Sequence, residues 1–368
     1  MNEQQLTYRI AFASIRGMGI DIARSILDVI PSEQEFFSMK EGELMRIIGS
    51  RTKIHESAYR NVCLEKAKRE LDFIYNNHIR VAYFLDDDYP ARLLQASDAP
   101  ILLYSIGECN LNASRIVSVV GTRHATDYGR RFCNTLMSDL AQVLPDVVIV
   151  SGLAFGIDIA AHRASLKYGL HTVGVQARGL NKIYPSQHRN DAAAIVKQGG
   201  AIVSDYTSQD DVHKGNFVAR NRIIAALSDC TVVVESANKG GALITANIAA
   251  SYNRDVLAVP GRITDEYSKG CNRLIMNNQA AVITSADDLL KAMNWQSVAP
   301  KQVELELFPK LSAEEQIIVD TIRNMGDAHI NSITQQLGMP VYKVMSALVE
   351  LECRGIVASL PGCRYTVV

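Results

Sequence analysis

The sequence predicts an α/β protein with a doubly wound parallel sheet at its centre and a smaller, mainly helical segment on either side. Three observations predict it. From residue 115 to 293, short β-branched runs alternate with amphipathic helical patterns. The runs are apolar along their length, which is typical of parallel strands covered by helices on both faces. The flanking segments instead carry apolar residues at helical spacing.

Residues 1–75 are predicted to form a domain of short helices. A Gly17-Met18-Gly19 turn joins two of the helical patterns. Such a turn either points backbone N–H groups at a DNA phosphate or serves only the tight helix–helix connection, and the sequence leaves both open. Residues 76–112 are predicted as a connector. Its three aspartates at 86–88 precede a proline, which favours a solvated turn over a metal site.

The middle domain, residues 113–295, is predicted to contain seven strands and six helices. The strands are expected at 116–120, 147–150, 172–175, 201–203, 231–234, 256–259 and 281–283. The helices are expected at 129–143, 156–168, 190–198, 219–228, 241–253 and 270–278. This alternation predicts a Rossmann-like domain, whose ligand should bind at the carboxyl ends of the strands.

The C-terminal part is predicted as a linker over 296–311 and a winged helix over 312–368. Three helical patterns, at 312–324, 331–337 and 341–352, precede a short hairpin. The expected recognition helix has only Lys343 and Arg354 as cations, against Glu350 and Glu352. A helix that reads the major groove normally carries more basic and amide side chains, so this domain is expected to contact protein or regulate.

Composition limits the class of protein. The chain has 368 residues, 48% of them hydrophobic and 21% charged, which is typical of a soluble globular protein. No apolar run approaches the ~18 residues that span a bilayer, and the N-terminus does not resemble a signal peptide. Seven scattered cysteines without a CxxC pair predict neither disulfides nor a zinc site.

The charge distribution confines any polyanion site to the middle domain. The net charge is −1, yet residues 113–295 carry 19 basic and 15 acidic side chains. Residues 1–112 and 296–368 are both net acidic. A nucleic-acid site would therefore be a local groove, since the surface as a whole is not basic.

Candidate site residues follow the predicted strands. The first strand leads into Gly121, Thr122 and Arg123, and the second into Ser151 and Gly152, which open a helix. A second glycine-rich helix start, at Gly240 and Gly241, follows the fifth strand, and Lys269 comes after the sixth. Glycines at a helix start expose N–H groups to an anion, and a guanidinium binds phosphate with two hydrogen bonds.

The densest signal interleaves an aromatic residue with three cations immediately before the predicted helix 219–228. The residues are Lys214, Phe217, Arg220, Asn221 and Arg222. Cations for the backbone and an aromatic face for an unstacked base are what single-stranded nucleic acid requires. The alternative makes Phe217 a core residue and the arginines a solvated face. Arg220 and Arg222, two positions apart, cannot share one helix face.

These motifs, in this order, resemble the DNA-processing protein A (DprA/Smf) family. The matching pieces are VGTR (120–123), SGLAFGID…AH (151–162), YP (184–185), FVARNRIIAALS (217–228), GGALITA (240–246), VPGR (259–262) and SKGCNRLI (268–275). The flanks fit the SAM-like (helix-hairpin-helix type) N-terminal domain and winged-helix C-terminal domain of longer members.

The resemblance implies a cytoplasmic homodimer that binds single-stranded DNA in natural transformation, the uptake of DNA by competent cells. It implies protection of that strand and loading of the recombinase RecA onto it during DNA recombination. On the matched motifs, Arg123, Gly152, Lys214, Arg220 and Arg222 would line the groove and Phe217 would stack on a base. It implies no catalysis, cofactor or metal, and no contact with a membrane.

Two rival functions remain. Rossmann-like enzymes cleave nucleoside monophosphates, and Glu235 beside the second glycine-rich helix start could stabilise an oxocarbenium-like state. A winged-helix transcriptional regulator would prefer duplex DNA, against which the acidic third helix argues. Asp158 and His162, one helical turn apart, could bind a metal, but without a third ligand a structural hydrogen bond is favoured.

Overall fold

The computed structural model describes residues 2–49, 53–296 and 311–368, and it divides into one unit up to residue 298 and a second from residue 299 onward. The first unit begins with a helical subdomain. Its five α-helices are α1 (Glu3–Ala13), α2 (Ile20–Leu27), α3 (Glu33–Ser38), α4 (Glu41–Ile48) and α5 (Ser57–Asn76). The predicted Gly-x-Gly turn lies between α1 and α2, with Gly17 at a φ of 83°.

The helical subdomain has its own aromatic core and is tied to the rest of the unit by charged contacts. The rings of Phe12 and Phe36 pack edge to face at 5.2 Å. Arg9 binds the carboxylate of Asp86 at 2.8 Å. Glu70 of α5 accepts the backbone N–H of Ser208 at 2.9 Å. Asp86, one of the three aspartates of the predicted turn, therefore serves as an ion-pair partner.

Nine strands form one sheet in the order β1-β2-β6-β5-β4-β3-β7-β8-β9. They are β1 (Arg80–Tyr83), β2 (Leu102–Gly107), β3 (Ile116–Val120), β4 (Val148–Gly152), β5 (Thr172–Val175), β6 (Ala201–Ser204), β7 (Cys230–Val233), β8 (Asp255–Ala258) and β9 (Ala281–Val282). The seven strands from β6 across to β9 are parallel. The doubly wound parallel sheet predicted from the sequence is confirmed.

The segment 76–112, expected to be a connector, extends this sheet. β1 pairs antiparallel with β2, and β2 pairs antiparallel with β6, so that Tyr104 lies opposite Ser204. Both strands sit among turns and prolines, where no alternating pattern is visible in the sequence. The edge of the parallel sheet is thereby covered by backbone pairing.

Seven helices cover the two faces of the sheet. They are α6 (Asp127–Val143), α7 (Ile157–Lys167), α8 (Arg189–Lys197), α9 (Lys214–Leu227), α10 (Gly241–Ser251), α11 (Lys269–Met276) and α12 (Ala286–Ala292). Side chains along β3 alternate between the faces: Val117 and Val119 pack with α6 and α7, whereas Ile116 and Val120 pack with α9 and α10. Short 3-10 turns occur at Lys53–His55, Leu93–Gln95, Ser186–His188 and Glu266–Ser268.

The direction of strand addition reverses at β3. The chain runs from β3 through β4 and β5 to β6 on one side, then crosses back to β7 on the other side of β3. A crevice therefore opens beyond the carboxyl ends of β3, β4 and β7, where connections leave in opposite directions.

The second unit contains the predicted winged helix. Its elements are α13 (Ala313–Met325), β10 (Ala328–His329), α14 (Ile330–Leu337), α15 (Val341–Cys353), β11 (Val357–Leu360) and β12 (Arg364–Val367). The three strands pair in the order β10-β12-β11 around a core that includes Ile322, Ile333 and Leu348. The two-residue β10 was not predicted. Of the predicted linker 296–311, residues 297–310 lie outside the described part of the chain.

Candidate nucleic-acid interface

A cleft of about 370 Å³ lies at the point where the strand order reverses. Its walls are the loops after β3 and β7, the first two turns of α9 and the start of α10. It brings together eight of the predicted site residues, which are Gly121, Thr122, Arg123, Phe217, Arg220, Asn221, Gly240 and Gly241. These eight residues come from three separate stretches of sequence, 121–123, 217–221 and 240–241, that meet at one edge of the sheet.

The start of α10 forms the floor of the cleft. Gly240 is the N-cap residue and supplies no side-chain cap to the first turn. The N–H groups of that turn, together with the positive end of the helix dipole, favour an anion. A Cβ at Gly241 would meet no atom of the described chain within 4 Å, so the backbone is open to an approaching ligand. Lys239 lies beside it and is exposed.

Arg123 and Phe217 form one wall. The exposed Arg123 guanidinium lies 5.6 Å from the centre of the Phe217 ring, and that ring lies 5.3 Å from the ring of Tyr184. Phe217 is half-buried, which leaves part of its face accessible. A cation beside an aromatic face can hold a phosphate while the neighbouring base stacks.

The segment from Lys214 to Phe217 belongs to α9, which corrects the prediction that it precedes the helix. α9 begins at Lys214 instead of near residue 219. His213 caps the helix through its extended backbone, and Phe217 then projects from the first turn. The sequence predicted the start of this helix too late. Its first turn is polar, and the apolar periodicity that indicates a helix begins only one turn later.

Arg220 is the buried cation of the cleft. Its side chain donates to the carbonyl of Val175 at 2.5 Å, and the residue is only 5% exposed. Gly152 makes room for it, since a Cβ at that position would overlap the Nη1 atom of Arg220. The charge of the neighbouring Asp158 compensates part of the cost of burying the guanidinium.

Burial raises the pKa of Asp158 to about 6. The charge of Arg220 and hydrogen bonds from Ser151 and the N–H of Ala154 act in the opposite direction but do not outweigh burial. The carboxyl lines the cleft, so its ionisation changes the charge that a ligand meets.

The structure places five predicted site residues away from the surface of the cleft. Ser151 is buried and donates to the carbonyl of Val119 at 2.5 Å, while Gly152 lies behind Arg220. Arg222 projects from the other side of α9 and forms an ion pair with Asp205. The remaining two are Lys214, exposed in the first turn of α9, and Lys269, which pairs with Glu266 at 2.7 Å.

Several residues of the cleft were missed as site residues. The rings of His124 and Tyr267, which stack with their centres 6.1 Å apart, line the cleft, as does the exposed Lys239. Tyr184 and the exposed Phe155 extend the aromatic surface beyond Phe217. The Tyr184-Pro185 step was visible in the sequence as a motif, but nothing in its spacing places it beside Phe217.

Glu235 does not face the cleft, and this weakens the proposed nucleotide-cleaving alternative. Its carboxylate accepts the backbone N–H of Thr126 at 2.9 Å and also the hydroxyl of that residue. It therefore caps the start of α6. A Cβ at Gly129 would overlap the same carboxylate, which shows how tightly it is enclosed.

Asp158 and His162 do not bond to each other. His162 is buried between the hydroxyl of Thr172, at 2.7 Å, and the carbonyl of Gly152, at 3.2 Å. Burial lowers its pKa to about 4. Among the described residues, no group of three His, Cys, Asp or Glu side chains could hold a metal ion. Likewise, none of the helices in the described ranges is long and apolar enough to cross a bilayer.

Known proteins share this arrangement of domains. A model of the family DNA recombination-mediator protein A matches residues 80–294, and a model of the DprA winged helix domain matches residues 306–363. The chain belongs to the DprA family. Membership confirms the resemblance inferred from the motifs, and the winged-helix match confirms the architecture predicted for the C-terminal segment.

Relatives of the DprA family align over most of the chain. Protein Smf of Escherichia coli is 36% identical over 292 residues, which is 74% of this chain and 74% of that protein. A putative DNA processing protein DprA of Mycobacterium tuberculosis is 31% identical over 332 residues, covering 86% of this chain and 83% of the relative.

Two solved DprA structures share the fold. The X-ray structure of DNA processing protein A from Streptococcus pneumoniae superposes with a TM-score of 0.66 at 30% identity, covering 79% of this chain and 98% of the other. DNA processing protein A from Helicobacter pylori, solved to describe its single-stranded DNA binding mode, gives a TM-score of 0.52 at 29% identity and covers 59% of this chain and 97% of its own.

Proposed function

We propose that this chain binds single-stranded DNA in the cleft at the carboxyl ends of β3, β4 and β7. The observation that carries the proposal is the exposed Arg123 beside the ring of Phe217, 5.6 Å away, in the same cleft as the start of α10, which has no side-chain cap. A guanidinium and helix N–H groups suit the phosphates, and the ring suits a base. Membership in the DprA family, with a relative of known single-stranded DNA binding mode, supports the same ligand.

The wider role follows from the family. We infer that the protein acts in DNA processing and recombination during natural transformation, as a cytoplasmic homodimer that protects the strand and loads RecA onto it. We also infer that it is a binding protein without catalytic activity, which fits the enclosure of Glu235 by Thr126. Of the interface residues predicted from the sequence, we propose that those lining the cleft contact the DNA directly and that Arg222, paired with Asp205, serves structure.

The test is fluorescence anisotropy with a labelled oligonucleotide, single-stranded against duplex, over a series of salt concentrations. We expect tighter binding to the single strand than to the duplex. A plot of the logarithm of the association constant against the logarithm of the salt concentration should have a slope of about −0.7 for each phosphate neutralised. Arg123→Ala should lower the affinity and make that slope shallower. Phe217→Ala should cost about 1–3 kcal/mol, the value of one stacked base.

The matched control is Arg130→Ala. Arg130 is also an exposed arginine of the same domain, but it pairs with Asp127 at 2.8 Å and does not line the cleft. The proposal fails if Arg123→Ala binds as the wild type does, or if both arginine variants weaken binding equally. Preference for the duplex would favour the winged-helix regulator instead.

A further inference from the structure

A second and larger cavity adjoins the cleft. It measures about 980 Å³ and lies between α8 and the chain segment that leads from β5 to it. Its floor is apolar and includes Ile106 of β2, Ile202 of β6 and Val196 of α8. We call it the α8 groove. It belongs to the same unit as the cleft, since both lie before residue 298.

The rim of the α8 groove is positively charged. Arg178, Lys182, Arg189 and Lys197 line it, and no carboxylate of the described chain does. None of these four cations forms an ion pair with another described residue. The buried Nε atom of Arg178, in addition, has no hydrogen-bond partner there. In a protein of net charge −1, four unpaired cations around one apolar groove fit a polyanion with apolar parts.

Neighbouring arginines behave differently. Arg163 of α7 binds Asp191 of α8 at 2.8 Å, and Arg222 pairs with Asp205. The arginines that link structural elements of the first unit are thus neutralised by ion pairs with aspartates. The cations of the α8 groove are left available to a ligand.

The groove and the cleft are connected by an aromatic ridge. A small pocket of about 70 Å³ lies between them. It shares Arg123 and Phe217 with the cleft, and Phe155 and Tyr184 with the α8 groove. Phe155 is 44% exposed and Tyr184 is 49% exposed, so both rings keep an accessible face although Tyr184 packs beside Phe217 and Phe155 beside His188.

We propose that the α8 groove binds the continuation of the same single strand that occupies the cleft. The strand crosses the ridge, where Phe155 and Tyr184 stack on unpaired bases, and its next phosphates meet Lys182, Arg189 and Lys197. A duplex cannot follow this path, because its bases are not free to stack on side chains. The inference rests on the proposed function, since it takes the cleft as the start of the path.

The experiment compares two lengths of oligothymidylate, roughly four and roughly twenty nucleotides, which span a range around known single-strand site sizes. The variants are Arg123→Ala, which lies in the cleft, and the double variant Arg189→Ala/Lys197→Ala, which lies in the groove. Arg163→Ala is the control, because it removes an ion-paired cation close to α8. Circular dichroism verifies that each variant is folded.

We expect Arg123→Ala to weaken both lengths. The double groove variant should bind the long strand about five- to tenfold more weakly, with a salt slope shallower by about 1.4 for two lost phosphate contacts. It should bind the short strand as the wild type does, and Arg163→Ala should match the wild type on both.

The groove proposal is overturned if the double variant binds the long strand normally while Arg123→Ala weakens both lengths. The groove would then suit an acidic protein segment. If Arg123→Ala leaves both lengths unaffected, the proposed function itself fails. Equal losses on both lengths in the double variant would mean that the cations act through general charge, and would also reject a separate site.

Discussion

At the scale of single residues, Gly152 has no room for a side chain. A methyl group there would overlap the guanidinium of Arg220, which is itself fixed by the carbonyl of Val175. We expect Gly152→Ala to destabilise the protein by about 1–3 kcal/mol and to weaken single-strand binding, because Arg220 must leave the cleft wall. Thermal unfolding and anisotropy measure the two effects.

Gly215→Ala is the matched control for this change. A Cβ at Gly215, in the first turn of α9, meets no described atom within 4 Å. Alanine should be neutral there or stabilise the helix by up to about 1 kcal/mol. Equal unfolding temperatures for the two variants would contradict the steric argument.

The ionisation of Asp158 predicts a dependence of binding on pH. Its pKa is raised to about 6, so its negative charge is present above that pH and is lost as the pH falls through it. Removing a negative charge beside Arg123 and Arg220 strengthens the attraction for phosphate. We expect the affinity for single-stranded DNA to rise about three- to tenfold from about pH 7.5 to about pH 5.5.

His124 faces the same cleft, so the pH series is measured in a His124→Gln background. Adding Asp158→Asn should give the higher affinity already at neutral pH and abolish the dependence. A flat profile in the His124→Gln protein that still carries Asp158 would refute the assignment.

Some features of the cleft residues could be predicted from the sequence and others could not. Arg123 and Phe217 could be predicted, because a cation after a strand and an aromatic before a helix are local patterns. The opposite orientations of Arg220 and Arg222 could also be predicted. The sequence could not predict which of the two arginines faces the cleft. That depends on Asp158 of α7 and on Asp205 after β6, which lie elsewhere along the chain.

At the scale of elements, α9 separates a binding face from a structural face. Arg222 pairs with the carboxylate of Asp205, whose side chain is 10% exposed, and donates to the carbonyl of Asp98 at 2.7 Å. Arg222→Ala would leave Asp205 as a buried, uncompensated charge. We expect a loss of about 3–5 kcal/mol in the free energy of unfolding, with unchanged affinity for a short single strand.

Arg220→Ala is the comparison on the same helix. It should weaken binding, because Arg220 lines the cleft. Urea unfolding and anisotropy of the two variants separate the faces. The division would be wrong if Arg222→Ala lowered the affinity for the short strand while remaining fully folded under the assay conditions.

The elements of the first unit that the sequence predicted are those that belong to the regular alternation of strands and helices. All seven parallel strands and six of their helices were expected within a few residues of their observed bounds. β1, β2 and β10 lie outside that alternation and were missed, because their antiparallel pairing depends on partners that are distant in sequence. The seven-residue α12 was too short to show a periodic pattern.

At the scale of the whole molecule, the cleft and the α8 groove both lie in the first unit. A chain that ends at Gln296 should therefore bind single-stranded DNA with the affinity of the full chain. The winged helix presents Tyr342, Met345 and Val349 on the exposed side of α15, with Lys343 as the helix's only cation. This composition supports a protein contact.

Anisotropy of the truncated and full-length proteins on single-stranded and duplex oligonucleotides checks this expectation. A large loss of single-strand affinity on truncation would show that the winged helix participates. Loss of duplex binding alone would assign it to duplex DNA and revive the regulator hypothesis for that domain.

The loop that carries Arg123 is fastened on both sides. Thr122 donates its N–H to the carbonyl of Glu235 at 2.7 Å, and its own carbonyl accepts the N–H of Ile157 at 3.1 Å. The side chain of Glu235 then holds Thr126, just beyond. The loop is already ordered before binding, so most of the conformational entropy lost when the complex forms is lost by the nucleic acid. Encounter should be fast and set by charge, so cleft substitutions that leave the charge unchanged, such as Phe217→Ala, should change the lifetime of the complex far more than its rate of formation.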